Sequence, residues 1–132
     1  MIYVIDHKDS FTHNVVHQLS LFDQVQCDDF SKVSKSKLNQ ASTIVFSPGP
    51  GSPKDYPISS KIYKKFKGKK KIIGICLGFQ QILFCEGASI IEQKKIYHGF
   101  QSNIQVVNDK SLFNKGKRFK VGRYHSLKLT EP

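Results

Sequence analysis

Short apolar runs alternate with segments of helical periodicity over the first two thirds of the chain. The apolar runs predict strands at residues 2–5, 25–27, 43–46 and 72–75. Apolar positions at helical intervals predict helices around residues 11–22, 57–66 and 77–86, and residues 34–40 are predicted as a weak helix with little apolar face. Strands that alternate with helices at this spacing are typical of βαβ units, so we expect an α/β fold with a parallel sheet flanked by helices.

The pattern changes after Gly87. Short apolar runs at residues 88–91, 104–107, 119–121 and 127–129 predict strands joined by turns, which favours an antiparallel extension. In the first helix, one apolar stripe is expected to face the sheet; it is formed by Phe11, Val15, Leu19 and Phe22. A length of 132 residues predicts a single domain, residues 1–132.

Three widely spaced cysteines, Cys27, Cys76 and Cys85, form neither a CxxC pair nor a zinc-like pattern. An odd set of this kind argues against a disulfide scaffold and favours a reducing compartment, so we expect a cytoplasmic protein. No apolar run is long enough to span a membrane, and the first residues do not resemble a signal peptide.

The charge is unevenly distributed. Residues 1–60 carry a net charge of −1 and residues 61–132 carry +12, which gives +11 for the chain. A basic excess can indicate nucleic-acid binding, but the lysines lie in short clusters without interleaved aromatic residues. A solvated lysine-rich face is the favoured interpretation, and a docking surface for an acidic partner protein is the next.

The joint between the fourth strand and the helix after it has the pattern of a nucleophile elbow. Cys76 lies there with Gly74 and Gly78 two residues to either side, the cysteine form of G-x-S-x-G. Such a turn strains the backbone of the nucleophile, while glycine neighbours let strand, helix and substrate approach closely. The helix N-terminus favours a thiolate and offers N–H groups to an oxyanion. The motif predicts a nucleophilic Cys76; the alternative is a buried structural cysteine.

Three further segments point in the same direction: residues 6–14 (DHKDSFTHN), 47–51 (SPGPG) and 123–127 (RYHSL). Together with GICLGFQ at residues 74–80, they resemble motifs of the glutamine-hydrolysing subunits of anthranilate synthase and aminodeoxychorismate synthase, in the order found in that family. The similarity to these class I glutamine amidotransferases runs from residue 2 to the last residues.

The resemblance implies a flavodoxin-like class I glutamine amidotransferase fold that lacks its C-terminal segment. It also implies that glutamine is hydrolysed through a cysteine thioester and that the ammonia passes to a chorismate-binding synthase subunit, in a heterodimer or heterotetramer. The product of that partner would be anthranilate or aminodeoxychorismate. This subunit is expected to need no cofactor or metal, with Mg²⁺ only in the synthase, and to bind neither nucleic acid nor membrane.

Carried over to this chain, the resemblance makes Cys76 the nucleophile, and the backbone N–H groups of Leu77 and Gly51 the oxyanion hole. Only glycine lets a backbone N–H approach a tetrahedral oxygen so closely. The glutamine site would include Gly49, Pro50, Gly51, Gln80, Ser126 and Leu127. Gln80 would pair through its side-chain amide, and Ser126 and Leu127 mainly through their backbones. Taken alone, residues 47–53 could also be a proline-stiffened surface turn.

Two departures from the family pattern affect the expected chemistry. Phe79 replaces the family's usual histidine and is expected to point into the sheet or the partner, with the chemistry preserved. The family's general base, a histidine oriented by a glutamate two residues later, follows the RYHSL segment, and residues 1–132 contain neither. We therefore expect negligible glutaminase activity from these residues alone. Surface or supporting roles, not a base, are expected for the five histidines: His7, His13, His17, His98 and His125.

The leading hypothesis is thus a glutamine amidotransferase subunit of chorismate metabolism. One alternative is a catalytically incomplete scaffold or regulatory subunit that binds the synthase without hydrolysing glutamine. Another, which depends on charge alone, is a basic nucleic-acid-binding α/β domain, whose binding would weaken steeply with salt.

Overall fold

The computed structural model describes residues 1–130, apart from the side chains of Lys95, Tyr97, His98, Tyr124 and Ser126. The described residues form two compact units, one of Met1–Ile90 with residues 129–130 and the other of Ile91–Lys128. The expectation of a single domain stays a prediction.

A four-stranded parallel sheet forms the centre of the first unit, in the order β2-β1-β3-β4. Its strands are β1 (Ile2–Asp6), β2 (Val25–Asp29), β3 (Thr43–Phe46) and β4 (Lys71–Gly74). The inner strands β1 and β3 are almost entirely apolar and buried, as continuous apolar runs in a parallel sheet should be. The α/β fold with a parallel sheet is therefore confirmed.

Four helices accompany the sheet: α1 (Thr12–Ser20), α2 (Lys35–Gln40), α3 (Pro57–Phe66) and α4 (Leu77–Cys85). Side chains of α2, α3 and α4, among them Leu38, Ile62 and Ile82, pack against one face of the sheet. Val15 of α1 packs against the other face. Within residues 1–130, no helix is long and apolar enough to cross a membrane.

The prediction for the first helix was partly wrong. Val15 and Leu19 pack against the sheet as expected, but Phe11 and Phe22 lie outside α1 and are 57% and 84% exposed. Helix α1 ends at Ser20 because the chain turns there, with the N–H of Phe22 donating to the carbonyl of Leu19 (3.0 Å). The chain then returns to the sheet and enters β2, which pairs with β1. This return ends the apolar stripe of α1 after Leu19.

Two long strands replace the four short ones predicted after Gly87. They are β5 (Ile90–Gln105) and β6 (Arg118–Leu129), which pair in a two-stranded sheet. At the turn, Val106 donates to the carbonyl of Lys117 (2.9 Å) and accepts from the N–H of Gly116 (2.8 Å), an antiparallel pairing. The predicted antiparallel extension is confirmed, but the lengths were wrong. The hydrogen bonds between antiparallel strands are made by backbone groups, so polar residues can continue the strands through the gaps between apolar runs.

Candidate active site

Cys76 occupies the joint between β4 and α4, one residue beyond Ile75 and just before Leu77. Its backbone has φ 54° and ψ −109°, a left-handed conformation that is strained for a residue with a Cβ. The amide of Ile75 donates to the carbonyl of Phe46 (3.0 Å), and the amide of Gln80 donates to the carbonyl of Cys76 (3.0 Å). Both neighbouring elements are thus fixed by hydrogen bonds, which holds the strained residue in place.

The two flanking glycines are required by close packing. A Cβ at Gly78 would lie 2.1 Å from the carbonyl oxygen of Phe46 at the end of β3. A Cβ at Gly74 would lie 2.4 Å from the carbonyl oxygen of Gly78. The sequence-based reason for these glycines, that strand and helix approach closely, is therefore confirmed.

The electrostatic surroundings of Cys76 differ from the expectation. Burial of the thiol raises the pKa of Cys76 above 9.0, and the charge of Asp9 raises it further, while a hydrogen bond from the Leu77 N–H lowers it. The residue as a whole is nevertheless exposed. The helix N-terminus alone was expected to favour the thiolate, but desolvation outweighs it. The raised pKa favours the thiol over the thiolate.

The segment 47–51 leaves the end of β3 and crosses beside the first turn of α4. A Cβ at Gly49 would lie 2.7 Å from Cδ2 of Leu77 and 2.5 Å from Cβ of His7. Gly51 has φ 77°, and a Cβ there would lie 2.5 Å from Oδ2 of Asp55. The structure thus brings Gly49 against Leu77 at the carboxyl edge of the sheet, where ligands of such folds bind.

Hydrogen bonds fix this loop from beneath. The hydroxyl of Tyr56 donates to the carbonyl of Pro50 (2.7 Å), and the N–H of Ser52 donates to the Asp55 carboxylate (2.8 Å). Neither Tyr56 nor Asp55 was singled out from the sequence. The signal that could have found them was the proximity of both residues to the SPGPG segment.

His7 lies in the loop directly after β1 but is fully buried, so the alternative of a surface position is wrong. Its ring contacts the carbonyl of Ser47 through Nδ1 (3.2 Å) and the hydroxyl of Ser59 through Nε2 (2.8 Å). Burial lowers the pKa of His7 below 6.5, although Asp6 and Asp29 oppose the shift. Because both ring nitrogens are engaged, this histidine is not placed to act as a base for a thiol.

The other two cysteines lie in regular structure. Cys27 is in β2, where a strand was predicted, and burial together with two nearby carboxylates raises the pKa of Cys27 to about 11. Cys85 lies at the end of α4 and packs against the core, as expected. Of the three cysteines, Cys76 is the one at a strained turn next to a helix N-terminus.

Two glutamines follow each other on α4. Gln80, the predicted substrate-binding residue, is half-buried. Gln81 is fully buried and donates its amide to the Ser60 hydroxyl (2.6 Å) and the Pro53 carbonyl (3.2 Å), which ties α4 to the segment after the loop. In the sequence, Gln81 could have been noticed only as a polar residue within a largely apolar helix. Phe79 is 51% exposed, so the alternative in which it points into the sheet is wrong.

Ser126 and Leu127 belong to β6 in the second unit. The carbonyl of Leu127 accepts from the Gln93 amide (3.1 Å), and Nε of Arg123 donates to Nε2 of His125 (3.1 Å). The side chains of Ser126 and His98 lie outside the described residues. Among the described residues, no group of three or more His, Cys, Asp or Glu could hold a metal ion.

Comparisons with known proteins show the family to which the chain is similar. Residues 3–132 match the family model of glutamine amidotransferase class-I. Anthranilate synthase component 2 of Cyanidium caldarium is 38% identical over 130 residues, which cover 96% of this chain and 67% of that protein. The aminodeoxychorismate/anthranilate synthase component 2 of Bacillus subtilis is 35% identical over 131 residues, with coverage of 96% and 67%.

Solved structures share the fold. A glutamine amidotransferase of Thermotoga maritima has a TM-score of 0.76 at 18% identity, over 99% of this chain and 62% of that one. A glutamine amidotransferase of Methylobacillus flagellatus has a TM-score of 0.77 at 15% identity, over 100% and 57%. The chain thus spans 67% of the length of the two curated relatives and less of these two structures. By sequence and fold, it belongs to the class I glutamine amidotransferase family.

Proposed function

We propose that this chain is the glutamine-hydrolysing subunit of a chorismate-using synthase and that Cys76 is its nucleophile. One observation carries the proposal. Cys76 lies at a left-handed turn directly before α4, and Gly49 of the SPGPG segment lies against Leu77, the first residue of that helix. A nucleophile beside a helix N-terminus and a glycine-rich loop is the arrangement that acyl transfer requires.

The chemistry follows from these groups. The sulfur of Cys76 would form a bond to the side-chain carbonyl carbon of glutamine, and the negative oxygen would be bound by the N–H groups of Leu77 and Gly51. Breaking of the carbon–nitrogen bond would release ammonia and leave a thioester. Water would then hydrolyse the thioester to glutamate and the free thiol.

The reaction needs a base, because the thiolate is the nucleophile and burial raises the pKa of Cys76. The base would take the thiol proton and return it to the leaving nitrogen as ammonia departs. Both nitrogens of His7 are already bonded to Ser47 and Ser59, so His7 is not assigned this role.

The proposed partner is a synthase subunit that binds chorismate and forms anthranilate or aminodeoxychorismate with the ammonia. Relatives named as component 2 of these synthases support this part of the proposal.

A trapping experiment tests the proposal on the intact native polypeptide together with its synthase. After incubation with glutamine and an acid quench, we expect a γ-glutamyl group on the peptide that contains Cys76. Cys76→Ser should abolish product formation from glutamine but not from ammonium salts, whereas Cys85→Ser should change neither. Glutamine hydrolysis by the Cys76→Ser variant would contradict the proposal.

A further inference from the structure

The imidazole of His7 lies beneath the SPGPG segment and has a fixed tautomer. The carbonyl oxygen of Ser47 can only accept a hydrogen bond, so Nδ1 of His7 carries the proton and donates to it (3.2 Å). Nε2 then accepts from the hydroxyl of Ser59 on α3 (2.8 Å). The ring thus joins Ser47, the first residue after β3, to Ser59 of α3, which lies 52 residues after His7 in the sequence.

The backbone of His7 is also tied to the same segment. Its N–H donates to Oγ of Ser47 (2.8 Å), and that hydroxyl donates to the carbonyl of Pro48 (2.7 Å). A Cβ at Gly49 would lie 2.5 Å from Cβ of His7 and 2.9 Å from its carbonyl oxygen. The loop therefore rests directly on His7, with no room for a side chain between them.

Tyr56 extends this support to the far end of the loop. Its ring meets the imidazole of His7 edge-on, with centroids 4.6 Å apart and planes at 81°, and its hydroxyl donates to the carbonyl of Pro50 (2.7 Å). Phe30 packs against both rings, at centroid distances of 6.0 and 4.9 Å. The residue before Gly51 is thus fixed by a side chain whose own position depends on His7.

We propose that His7, with Tyr56 beside it, is a positioning residue for the reaction: it sets the conformation of residues 47–51 and so the place of the Gly51 N–H. The inference rests on the proposed function, because it assumes that this N–H binds the oxyanion. His7 touches neither substrate nor the reacting sulfur in this role. A donor that is displaced from the oxyanion loses its effect on the rate, since this stabilisation depends on preorganised geometry.

The test compares two reagents on Cys76 in the intact native polypeptide. A glutamine-like diazo-ketone, diazo-oxo-norleucine, bonds its terminal carbon to sulfur, loses N₂ and gains the thiol proton on that carbon. Its ketone oxygen would occupy the oxyanion position. Iodoacetamide alkylates the same sulfur and depends only on thiol ionisation and access. For each variant, the maximal labelling rate at saturating diazo-ketone is divided by the iodoacetamide rate. This ratio reports the position of the loop, because changes in the ionisation of the thiol or in access to it cancel.

Two substitutions of similar polarity separate the two ring nitrogens. The amide of His7→Asn can replace Nδ1 and still donate to Ser47, whereas the longer His7→Gln places its amide near Ser59. We expect His7→Asn to retain the diazo-ketone rate within about threefold and His7→Gln to lose at least about tenfold, with iodoacetamide rates unchanged in both. Tyr56→Phe, which removes only the hydroxyl at Pro50, should show the same selective loss as His7→Gln.

Equal diazo-ketone rates in the Asn and Gln variants would overturn the inference, as would a wild-type rate in Tyr56→Phe. Parallel losses with both reagents would also overturn it, since they would show a general disturbance of the fold. A wild-type protein that reacts with iodoacetamide at Cys76 but not with the diazo-ketone would instead contradict the proposed function. The two failures are therefore distinguishable.

Discussion

A side chain at Gly78 would place its Cβ 2.1 Å from the carbonyl oxygen of Phe46, closer than any real contact allows. The backbone of α4 at Gly78 therefore lies directly against the backbone of β3 at Phe46. This close contact sets the distance between the turn at Cys76 and the sheet. Because the obstructing atom is backbone, neither partner can rotate out of the way.

Gly78→Ala is accordingly expected to destabilise the fold. Overpacking of this kind costs about 1–3 kcal/mol, in spite of the better helix propensity of alanine. Urea unfolding measures it, and Lys61→Ala at an exposed position of α3 serves as the control. Equal unfolding midpoints for the two variants would show that the helix is free to move away from β3.

Gly51→Val tests the loop in the intact polypeptide with its synthase. The backbone there has φ 77°, and a side chain would meet the Asp55 carboxylate, so the N–H should shift. Loss of one oxyanion donor lowers the rate by about 10²–10³. The matched control is Gly68→Val, which has φ 75° but nothing within 4 Å of a Cβ. Near wild-type turnover from glutamine in Gly51→Val would remove this loop from the mechanism.

The folding stability should depend on pH through His7. Burial lowers the pKa of His7 below 6.5, so the unfolded chain binds a proton at a higher pH than the folded one. The free energy of unfolding should therefore be fully retained above pH 6.5 and fall as the pH drops below it, by up to about 1.4 kcal/mol per pH unit. The carboxylate of Asp29, whose pKa its hydrogen bonds to Ser31 lower to about 2, titrates well outside this window.

Urea unfolding between pH 7.5 and 5 measures this dependence as the difference between wild type and His7→Asn, which cannot titrate. A difference that grows as the pH falls, to the disadvantage of the wild type, is expected. A difference in unfolding free energy that stays constant with pH would contradict the prediction, because the pKa of His7 would then be the same in the folded and unfolded states.

Asp9 should influence the thiol from the loop after β1. Its charge contributes to the raised pKa of Cys76, and its Oδ1 accepts the N–H of Phe11 (2.8 Å), a bond that asparagine can preserve. Asp9→Asn should therefore move the midpoint of the pH–rate profile for iodoacetamide alkylation of Cys76 to lower pH. An unchanged profile would mean that the carboxylate does not act on the thiol.

Much of the first unit could be predicted because its two inner strands, β1 and β3, are buried on both faces. Continuous apolar runs such as those in β1 and β3 are typical of strands in the interior of a parallel sheet. The glycines on either side of Cys76 indicate the turn between β4 and α4. The end of α1 could not be predicted, since Phe22 fits the helical spacing and only the return into β2 ends the helix. The full lengths of β5 and β6 were missed because the polar residues between their apolar runs gave no strand pattern in the sequence.

The burial of His7 was missed for a different reason. Its partners Ser47 and Ser59 lie 40 and 52 residues away in sequence, and nothing near His7 marks it as buried. Local pattern indicates which element a residue belongs to, whereas hydrogen-bond partners across a sheet are set by the folded topology. The raised pKa of Cys76 was missed similarly, because the helix N-terminus is visible in the sequence and desolvation of the thiol is not.

The central claim, that Cys76 alone is the nucleophile, is tested most directly by locating the adduct formed with diazo-oxo-norleucine in the intact polypeptide. Cys76 lies at a strained turn beside a helix N-terminus, whereas Cys27 is in a strand with a pKa of about 11 and Cys85 packs against the core. Peptide mass spectrometry should place the label on the peptide that contains Cys76, and Cys76→Ser should abolish it. Labelling that survives Cys76→Ser, or that lies mainly on Cys27 or Cys85, would contradict the account.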